Sequence, residues 1–334
     1  MEIKELYINN FKSLLDFKLI DPNPFTVFVG PNGAGKSNIF EALEYVNISQ
    51  KTNPFDSDKF FGGKEQILNF KNNEDVIEFI VKFSESEGAF SSFTKTFYPN
   101  SNGYFSANFI FKDSVKDERP DIFNDWNQFY KGFCRIFINS RIEPKQNYKD
   151  DSRLLINASN LEKVLRRILL DNNTREEFTE WLQLFVPEFD RIEISTDEID
   201  GEAKLRIYEK STKRPLTKAL ISDGTFNILA ILAAVFQSDE PQFLLIEEPE
   251  NGLNPKVIKS LVDFFRDKCK EKGHFIWLNT HSQTLVSQLS AEEIVVVDKK
   301  EGITIAKQYK NLNLYRMPLD EAWLTNTLGG GLPW

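Results

Sequence analysis

The apolar residues of the chain change their spacing several times, and each spacing predicts a type of element. Apolar positions alternate near residues 3–8, form a second run at 17–20, and fill almost every position of 25–29. A continuous apolar run is typical of a strand that is covered on both faces. From residue 39 to 46, apolar residues recur three or four positions apart, which predicts an amphipathic helix directly after this strand.

The middle of the chain is rich in aromatic and β-branched residues. Asn, Ser, Gly and Asp separate its apolar segments, as expected of antiparallel strands joined by turns. We therefore predict an antiparallel β lobe over 53–140, with strands at 76–83, 93–98, 104–111 and 135–138. Helical spacing over 158–185 and a strand pair at 192–195 and 205–208 predict a second, helical and β insertion lobe over 150–209.

The last third of the chain alternates apolar strands with helices. Strands are predicted at 243–246, 275–278 and 294–297, with helices after the first two, the second of them through 285–289. Asn254 can cap the first of these helices, Pro255 suits its first position, and Gly273 follows its lysine-rich end. This alternation predicts an α/β fold with a mostly parallel central sheet.

The composition excludes several classes of protein. The 334 residues carry 50 Asp and Glu against 41 Lys and Arg, so DNA contact would need a local basic patch such as Lys163, Arg166 and Arg167. Two cysteines and two histidines are too few for a disulfide framework or a zinc site. We find no signal-peptide core, and the longest apolar stretch is shorter than the ~20 residues of a membrane span. These patterns predict a cytoplasmic protein with no membrane partner.

One segment matches a phosphate-binding loop in full. Gly30-Pro-Asn-Gly-Ala-Gly-Lys-Ser37 lies between the apolar strand and the helix, in the pattern G-x-x-x-x-G-K-[ST]. The glycines let backbone N–H groups turn toward phosphate oxygens, Lys36 reaches the β- and γ-phosphates of ATP, and the Ser37 hydroxyl ligates Mg²⁺. The helix dipole adds to this anion site. The residues predicted to contact the nucleotide are Gly30, Pro31, Asn32, Gly33, Ala34, Gly35, Lys36, Ser37 and Asn38.

Adjacent carboxylates follow the predicted strand at 243–246. In such folds the ligand lies at the carboxyl ends of the strands, so Glu247 and Glu248 should face the phosphates. We predict that Glu247 holds Mg²⁺ directly or through water, and that Glu248 orients and deprotonates the attacking water. Lys36 is a further catalytic candidate because its charge neutralises the phosphates.

Together these residues resemble the ABC-type ATPases of the RecF/SMC/OLD branch. FTVFVGPNGAGKSNIFEAL is similar to their Walker A segment, and the opening Ile8-Asn-Asn-Phe-Lys-Ser-Leu14 to the strand and turn before it. LLIEEPENGLNP is similar to their Walker B segment, catalytic glutamate and D-loop. The resemblance implies a P-loop NTPase of the ABC ATPase head type, a single domain over 1–334. Its nucleotide-binding core would come from 1–52 and 210–310, and 311–334 would be a C-terminal tail.

The resemblance implies two further site segments. Leu220-Ile-Ser-Asp-Gly-Thr-Phe226 looks like the ABC signature, and in this family Ser222, Asp223 and Gly224 would reach the γ-phosphate bound to a second subunit. Ser222 can cap the helix that follows, whose N-terminal dipole favours an anion. Leu278-Asn-Thr-His-Ser282 looks like the switch-histidine segment, which implies that His281 contacts the γ-phosphate or the attacking water.

The chain also departs from these relatives. Its signature reads S-D-G-T where SMC and RecF proteins have S-G-G-Q, and it looks more like the compact AAA-family ATPases found with OLD-like and anti-phage systems. Asp223 is unfavourable near a γ-phosphate unless it turns away. The insertion lobe is too short for coiled-coil arms, and the C-terminal segment is too short for a Toprim nuclease domain. Gln66 and Gln146 both stay open as the Q-loop glutamine, and Lys12 as a phosphate-sensing cation.

Three functions remain open. The resemblance implies an ATP hydrolase that uses Mg²⁺ and acts as a dimerisation switch, with two copies sandwiching two ATP molecules head to tail. Such a protein would regulate a separate effector, a Toprim-like nuclease or a toxin, in an anti-phage defence system. A RecF-like DNA-repair ATPase that binds DNA is the second hypothesis, which the acidic charge disfavours. A scaffold that binds ATP without hydrolysis is the third, which an intact Glu248 disfavours.

Overall fold

The computed structural model describes residues 2–52, 54–72, 74–84, 90–99, 105–113, 129–138, 142–145, 151–196, 203–310 and 317–330. Its strands are β1 (Ile3–Asn9), β2 (Phe17–Ile20), β3 (Phe25–Val29), β4 (Ile77–Ser84), β5 (Phe90–Pro99), β6 (Phe105–Asp113), β7 (Phe133–Ile136), β8 (Phe189–Thr196), β9 (Ala203–Glu209), β10 (Leu216–Thr217), β11 (Phe243–Glu247), β12 (Phe275–Thr280), β13 (Ile294–Lys300) and β14 (Ile303–Gln308). Its helices are α1 (Lys36–Lys51), α2 (Pro54–Phe60), α3 (Lys64–Ile67), α4 (Leu161–Ile168), α5 (Asn172–Phe185), α6 (Asp223–Phe236), α7 (Pro255–Lys272), α8 (Gln283–Val286) and α9 (Leu319–Leu324).

The central sheet has the strand order β14-β13-β3-β12-β11-β7. Its strands are parallel except for β14, which pairs with β13 in the antiparallel sense. β3, β11 and β12 are buried at every position because both faces of the sheet are covered, as their wholly apolar sequences predicted. The predicted α/β fold with a mostly parallel central sheet is confirmed.

A second sheet is antiparallel throughout, in the order β2-β1-β4-β5-β6. Helix α1 connects it to the central sheet: Phe40 packs edge-on against Phe28 of β3, and Tyr45 contacts Phe97 of β5. One hydrophobic cluster therefore runs from this sheet through α1 to the near face of the central sheet. The packing of α1 against both sheets therefore holds the end of the phosphate loop, where α1 begins, in place.

The opposite face of the central sheet is covered by helices. A second hydrophobic cluster joins that face to α4, α5, α6 and α7, and it extends to the three-stranded antiparallel sheet β10-β9-β8. The predicted strand pair of the insertion lobe is confirmed as β8 and β9. The helical segment predicted over 158–185 forms two helices, because Asp171 caps α5 by accepting a hydrogen bond from the Thr174 N–H.

Several predicted assignments are wrong in their sheet or length. Residues 135–138 were assigned to the antiparallel lobe, but β7 pairs in parallel with β11 at the edge of the central sheet. β1 and β2 fall in the predicted core segment 1–52, yet β1 pairs with β4 in the antiparallel sheet. Apolar alternation identifies a strand but not its neighbour, which depends on distant residues. The helix predicted through 285–289 ends at Val286, and β14 was not predicted.

The membrane prediction rests on helix length and apolarity. Among the described residues, each helix is either too short or too polar to cross a lipid bilayer.

Candidate nucleotide-binding site

The phosphate loop connects β3 to α1 with its backbone donors open. α1 begins at Lys36, and its N-cap residue, Gly35, has a φ of 101° and no side-chain capping hydrogen bond. The first N–H groups of a helix have no partner within the helix, so a loop without a side-chain cap leaves them available to an anion. Only glycine suits position 35, since a Cβ there would overlap the Thr304 hydroxyl.

Two hydroxyl groups brace the back of this loop. The Ser13 and Thr304 side chains are 2.6 Å apart, and the Thr304 hydroxyl donates to the Ala34 carbonyl at 2.8 Å. Asn38 in turn donates its amide to the Ser13 hydroxyl at 2.6 Å. Ser13 belongs to the segment that resembles the family's opening turn, whereas no sequence signal pointed to Thr304 on β14.

Lys36 is held inside the loop. Its ammonium donates to the Gly30 carbonyl at 2.8 Å and to the Pro31 carbonyl at 3.1 Å. Burial lowers the pKa of Lys36 from 10.5 to about 8, although Glu248 and Glu247 oppose this shift. A triphosphate would supply the negative charge that a buried ammonium lacks, so the loop suits an anionic ligand.

Glu247 and Ser37 bring two oxygen ligands to one point. The Ser37 hydroxyl donates to Glu247 Oε2 at 2.7 Å, and Asn279 donates to the same oxygen at 2.8 Å. Hydroxyl and carboxylate oxygens are the donors that Mg²⁺ prefers. Within the described part of the chain no group of three His, Cys, Asp or Glu residues could hold a metal. Mg²⁺ usually takes one or two protein ligands and completes its shell with phosphate oxygens and water, so Ser37 and Glu247 fit that ion.

A buried arginine fixes the other oxygen of Glu247. Arg135 on β7 donates its Nε to Glu247 Oε1 at 2.8 Å and its Nη1 to Glu44 Oε2 at 2.6 Å, and Lys145 also pairs with Glu44 at 2.9 Å. Burial alone would lower the pKa of Arg135, but the carboxylates of Glu247 and Glu44 outweigh burial and raise it. Sequence reasoning missed this residue, although it is the one charged position in the apolar run 133–138.

Glu248 leaves the strand in an unusual conformation. Its φ is 49°, a left-handed value that costs a non-glycine residue about 1 kcal/mol or more. The Glu248 N–H donates to the Asn279 carbonyl at 3.0 Å, and Glu248 Oε2 accepts from Asn251 at 2.9 Å. These bonds hold the strained turn, and the carboxylate lines the cleft above the phosphate loop.

That cleft brings most of the predicted site residues together. Its volume is about 420 Å³, and the phosphate loop, the start of α1, Glu248, Asn279, His281 and Lys299 line it. Lys36 and Ser37 therefore share one cavity with the proposed base Glu248 and with His281. Lys299, at the end of β13, was not predicted.

His281 follows β12. Its backbone is held by Glu250, a residue that sequence reasoning missed. Glu250 accepts hydrogen bonds from the Thr280 hydroxyl and, at 3.3 Å, from the His281 N–H, while its Oε2 is buried without a partner among the described residues. Burial raises the pKa of Glu250. Burial and the Lys36 ammonium lower the pKa of His281, opposed by Glu248, so its imidazole stays neutral at physiological pH. The E-E-P-E run itself was the available signal for Glu250.

The signature segment lies outside this cleft. The Ser222 hydroxyl caps α6 by accepting from the Thr225 N–H at 3.1 Å, as predicted, and Ser222 and Asp223 are exposed. Asn227, one turn into α6, donates to the Pro249 carbonyl at 2.9 Å and to the Asn251 carbonyl at 2.8 Å. The start of α6 is therefore tied to the loop that follows Glu248, while its capped end faces solvent.

The remaining candidates have structural roles or fall elsewhere. Lys12 forms an ion pair with Glu41, and Gln66 does not line the cleft. Gln146 lies outside the described residues. Arg167 of the basic cluster donates to the Gln237 carbonyl at 2.8 Å, which ties it to the end of α6.

A phosphate loop between a buried strand and a helix, with acidic residues at the end of a neighbouring strand, defines a P-loop NTPase. The chain has the fold of an SMC head. A solved SMC head bound to the C-winged helix domain of ScpA aligns with a TM-score of 0.58 and 16% identity, covering 95% of this chain and 100% of that one. The SMC head domain from Thermotoga maritima aligns with a TM-score of 0.52 and 15% identity, covering 93% of this chain and 100% of that one.

The sequence comparisons define the family. The chain belongs to the family described as "AAA domain, putative AbiEii toxin, Type IV TA system", whose model matches residues 25–287. It is 23% identical over 331 aligned residues to the ATP/GTP phosphatase of Helicobacter pylori, covering 86% of this chain and 87% of that protein. The predicted resemblance to P-loop ATPases of the RecF/SMC type is confirmed.

Proposed function

We propose that this protein is an ATP hydrolase that works as a nucleotide-dependent dimerisation switch. This proposal rests on the separation of two half-sites in one chain, the phosphate-loop cleft and the exposed start of α6. Lys36, Ser37 and Glu248 line an open cleft, whereas Ser222 and Asp223 are exposed at a capped helix end outside it. A second copy that placed its own capped helix end over the cleft would supply the N–H groups that close around a γ-phosphate.

Each residue of the cleft has a role in this hydrolysis. Lys36 and the loop N–H groups bind the phosphates, and Mg²⁺ bound by Ser37 and Glu247 would neutralise their charge. Glu248 would accept the proton of the attacking water, and the neutral His281 would hydrogen-bond that water or the γ-phosphate. The similarity to a relative named ATP/GTP phosphatase supports hydrolysis.

The contacts between the two half-sites support a switch. Asn227 bonds to the backbone of the loop after Glu248, and Gly224 packs so closely against Gly252 that a Cβ at position 224 would overlap the Gly252 carbonyl. A change at the γ-phosphate that moves this loop must also move the start of α6. Binding of ATP and contact with a second copy would thus depend on each other.

The family description names a putative toxin and a toxin–antitoxin system, which supports a role in such a system, and we propose that this role belongs to anti-phage defence. We propose that the switch holds and releases a separate effector, a Toprim-like nuclease or a toxin. Both cysteines, Cys134 and Cys269, are free, which suits the reducing cytoplasm that we propose as its location.

The dimer can be tested by trapping it. Glu248→Gln should bind Mg–ATP without hydrolysing it, so size-exclusion chromatography with light scattering should report a dimer with ATP and a monomer without. Lys36→Ala is the matched control and should stay monomeric in both conditions. A Glu248→Gln protein that binds ATP but stays monomeric would contradict the switch.

A RecF-like DNA-repair ATPase is the second candidate, because the motifs of the chain resemble those of the RecF/SMC branch. The net charge of -9 opposes it. ATPase rates measured with and without duplex and gapped DNA separate the two functions. A defence regulator should hydrolyse ATP at the same rate in both, and stimulation by DNA would favour repair.

A further inference from the structure

A groove on the insertion lobe runs along an open strand edge. It shares no lining residue with the nucleotide cleft. Within the described residues β8 pairs with β9 alone, so its other side is the edge of the sheet. A groove of about 540 Å³ lies along that edge, and five consecutive residues, 191–195, line it together with α4, α5 and the turn between them. Because successive side chains of a strand point to opposite faces, an unbroken lining of this kind means that the backbone edge itself faces the groove.

The groove combines an apolar floor with a basic rim. Leu170 is 75% exposed there, and Ile192 and Ile194 lie beside it half-buried. The rim carries three arginines, Arg166, Arg175 and Arg191, against one glutamate, Glu193. The chain as a whole has a net charge of -9, so this groove is locally basic on an acidic protein.

The three arginines of the rim differ in whether a carboxylate of the protein already neutralises their charge. Arg191 pairs with Asp190 and Glu193, each at 3.1 Å, and the Glu193 carboxylate also accepts from the Tyr208 hydroxyl. Arg175 donates to the Leu169 carbonyl at 2.7 Å. Arg166 is exposed, and its described hydrogen bond is to the Thr196 hydroxyl at 3.3 Å. Among the described residues, these hydroxyl and carbonyl partners leave the positive charge of Arg166 and Arg175 uncompensated.

We propose that this groove binds an extended acidic segment of a partner protein, which adds to the sheet as a fourth strand beside β8. A free strand edge offers N–H donors and C=O acceptors in alternation, and another peptide backbone satisfies both. Alternate side chains of the added strand would lie on Leu170, Ile192 and Ile194. Its carboxylates would face Arg166 and Arg175. This proposal does not depend on ATP hydrolysis.

Two other occupants fit the same groove less well. Phosphate oxygens of a nucleic acid would pair with the arginines but would leave the strand carbonyls facing acceptors. A second copy pairing β8 with β8 would bring its own arginine-rich rim against this one, and like charges facing each other destabilise a strand pair.

The test uses fluorescence anisotropy of the whole protein with a fluorescein-labelled peptide of alternating glutamate and valine. We expect this peptide to bind, and Arg166→Glu to weaken binding by at least about tenfold. Leu170→Ser should also weaken it. Arg214→Glu is the matched control, because Arg214 is exposed between β9 and β10 of the same sheet but does not line the groove, and this variant should bind as the natural protein does. Thermal melting followed by circular dichroism verifies that the variants are folded.

Five results would overturn the proposal. The first is no binding of the peptide up to about 1 mM. The second is equal binding by Arg166→Glu, and the third is equal binding of a peptide N-methylated at alternate residues, which cannot pair as a strand. In the fourth, a single-stranded oligothymidylate displaces the peptide. In the fifth, the free protein is a dimer that Arg166→Glu dissociates. Those two outcomes would identify a nucleic acid or a second copy as the occupant.

Discussion

Two buried cations, Arg135 and Lys95, contact helix α1, and they differ in the groups that surround their charge. Near the nucleotide cleft, Arg135 is 4% exposed and donates to the carboxylates of Glu44 and Glu247. Toward the other end of α1, in the antiparallel lobe, Lys95 is fully buried and donates to the Ser49 hydroxyl at 2.6 Å. The rings of Phe97 and Phe109 lie within 5.0 and 4.7 Å of the Lys95 ammonium.

The partners decide the protonation of each cation. Two carboxylates overcome burial and raise the pKa of Arg135, so this side chain stays charged and orients Glu247. Burial lowers the pKa of Lys95 from 10.5 to about 7, because a hydroxyl and two rings do not replace lost water. We therefore expect the buried charge near the cleft to orient Glu247, and the one in the lobe to reduce stability.

The largest effect should come from removing the compensated cation. Arg135→Met leaves Glu247 and Glu44 buried with less neutralising charge, so we expect the free energy of unfolding to fall by about 3–5 kcal/mol. ATPase activity should fall as well, because Glu247 loses the bond that orients it. Urea unfolding measures the first effect and phosphate release the second. Arg166→Met, a change at an exposed arginine, is the control. A stability loss below about 1 kcal/mol in Arg135→Met would contradict a stabilising role for the Arg135 ion pairs.

Removing the uncompensated cation should have the opposite sign. Lys95→Met should raise the free energy of unfolding by about 2–3 kcal/mol at pH 7 and leave ATPase activity unchanged. Between pH 7 and 10 Lys95 binds fewer protons in the folded chain than in the unfolded chain, so its contribution to the stability of the natural protein rises with pH.

The advantage of Lys95→Met should therefore shrink by roughly 1 kcal/mol per pH unit in that window. Unfolding curves of both proteins at several pH values measure the difference, in which the other titrating groups cancel. A constant difference would mean that Lys95 is not destabilised by burial.

A smaller effect should come from Glu250, a half-buried acid that contacts the His281 backbone. Glu250→Ala removes the acceptor of the Thr280 hydroxyl and the His281 N–H, so ATPase activity should fall by about tenfold. Glu250→Gln keeps an acceptor oxygen and should retain most of the activity. Equal losses in both variants would mean that the charge of Glu250, and not its position, matters.

The parts of the site that lie in contiguous sequence motifs could be predicted residue by residue. The phosphate loop, the strand that ends in Glu247 and the Ser222 cap are contiguous motifs whose spacing fixes their local structure. The cleft that gathers Lys36, Ser37, Glu248 and His281 follows from placing these motifs at the carboxyl ends of parallel strands.

The supporting residues could not be predicted in the same way. Arg135 and Glu44 are 91 positions apart, and Ser13 and Thr304 are 291 apart, so no local pattern connects them. Periodicity identified β7 as a strand but placed it in the wrong sheet, which hid the link between Arg135 and Glu247. Lys95 lies between the buried Phe93 and Phe97 on the same face of β5, so alternation places it inward, but a lysine is not expected in a core and only the packing of α1 shows that it is fully buried.

If two copies share each ATP site, as we propose, mixing two variants that are inactive on their own should restore activity. Lys36→Ala destroys the phosphate loop of its own chain, and Ser222→Arg blocks the helix end that would serve the other chain. Mixed together, they should form hybrid dimers with one intact site and regain up to about a quarter of the natural ATPase rate. A mixture that stays as inactive as its parts, although hybrids form, would contradict the shared site.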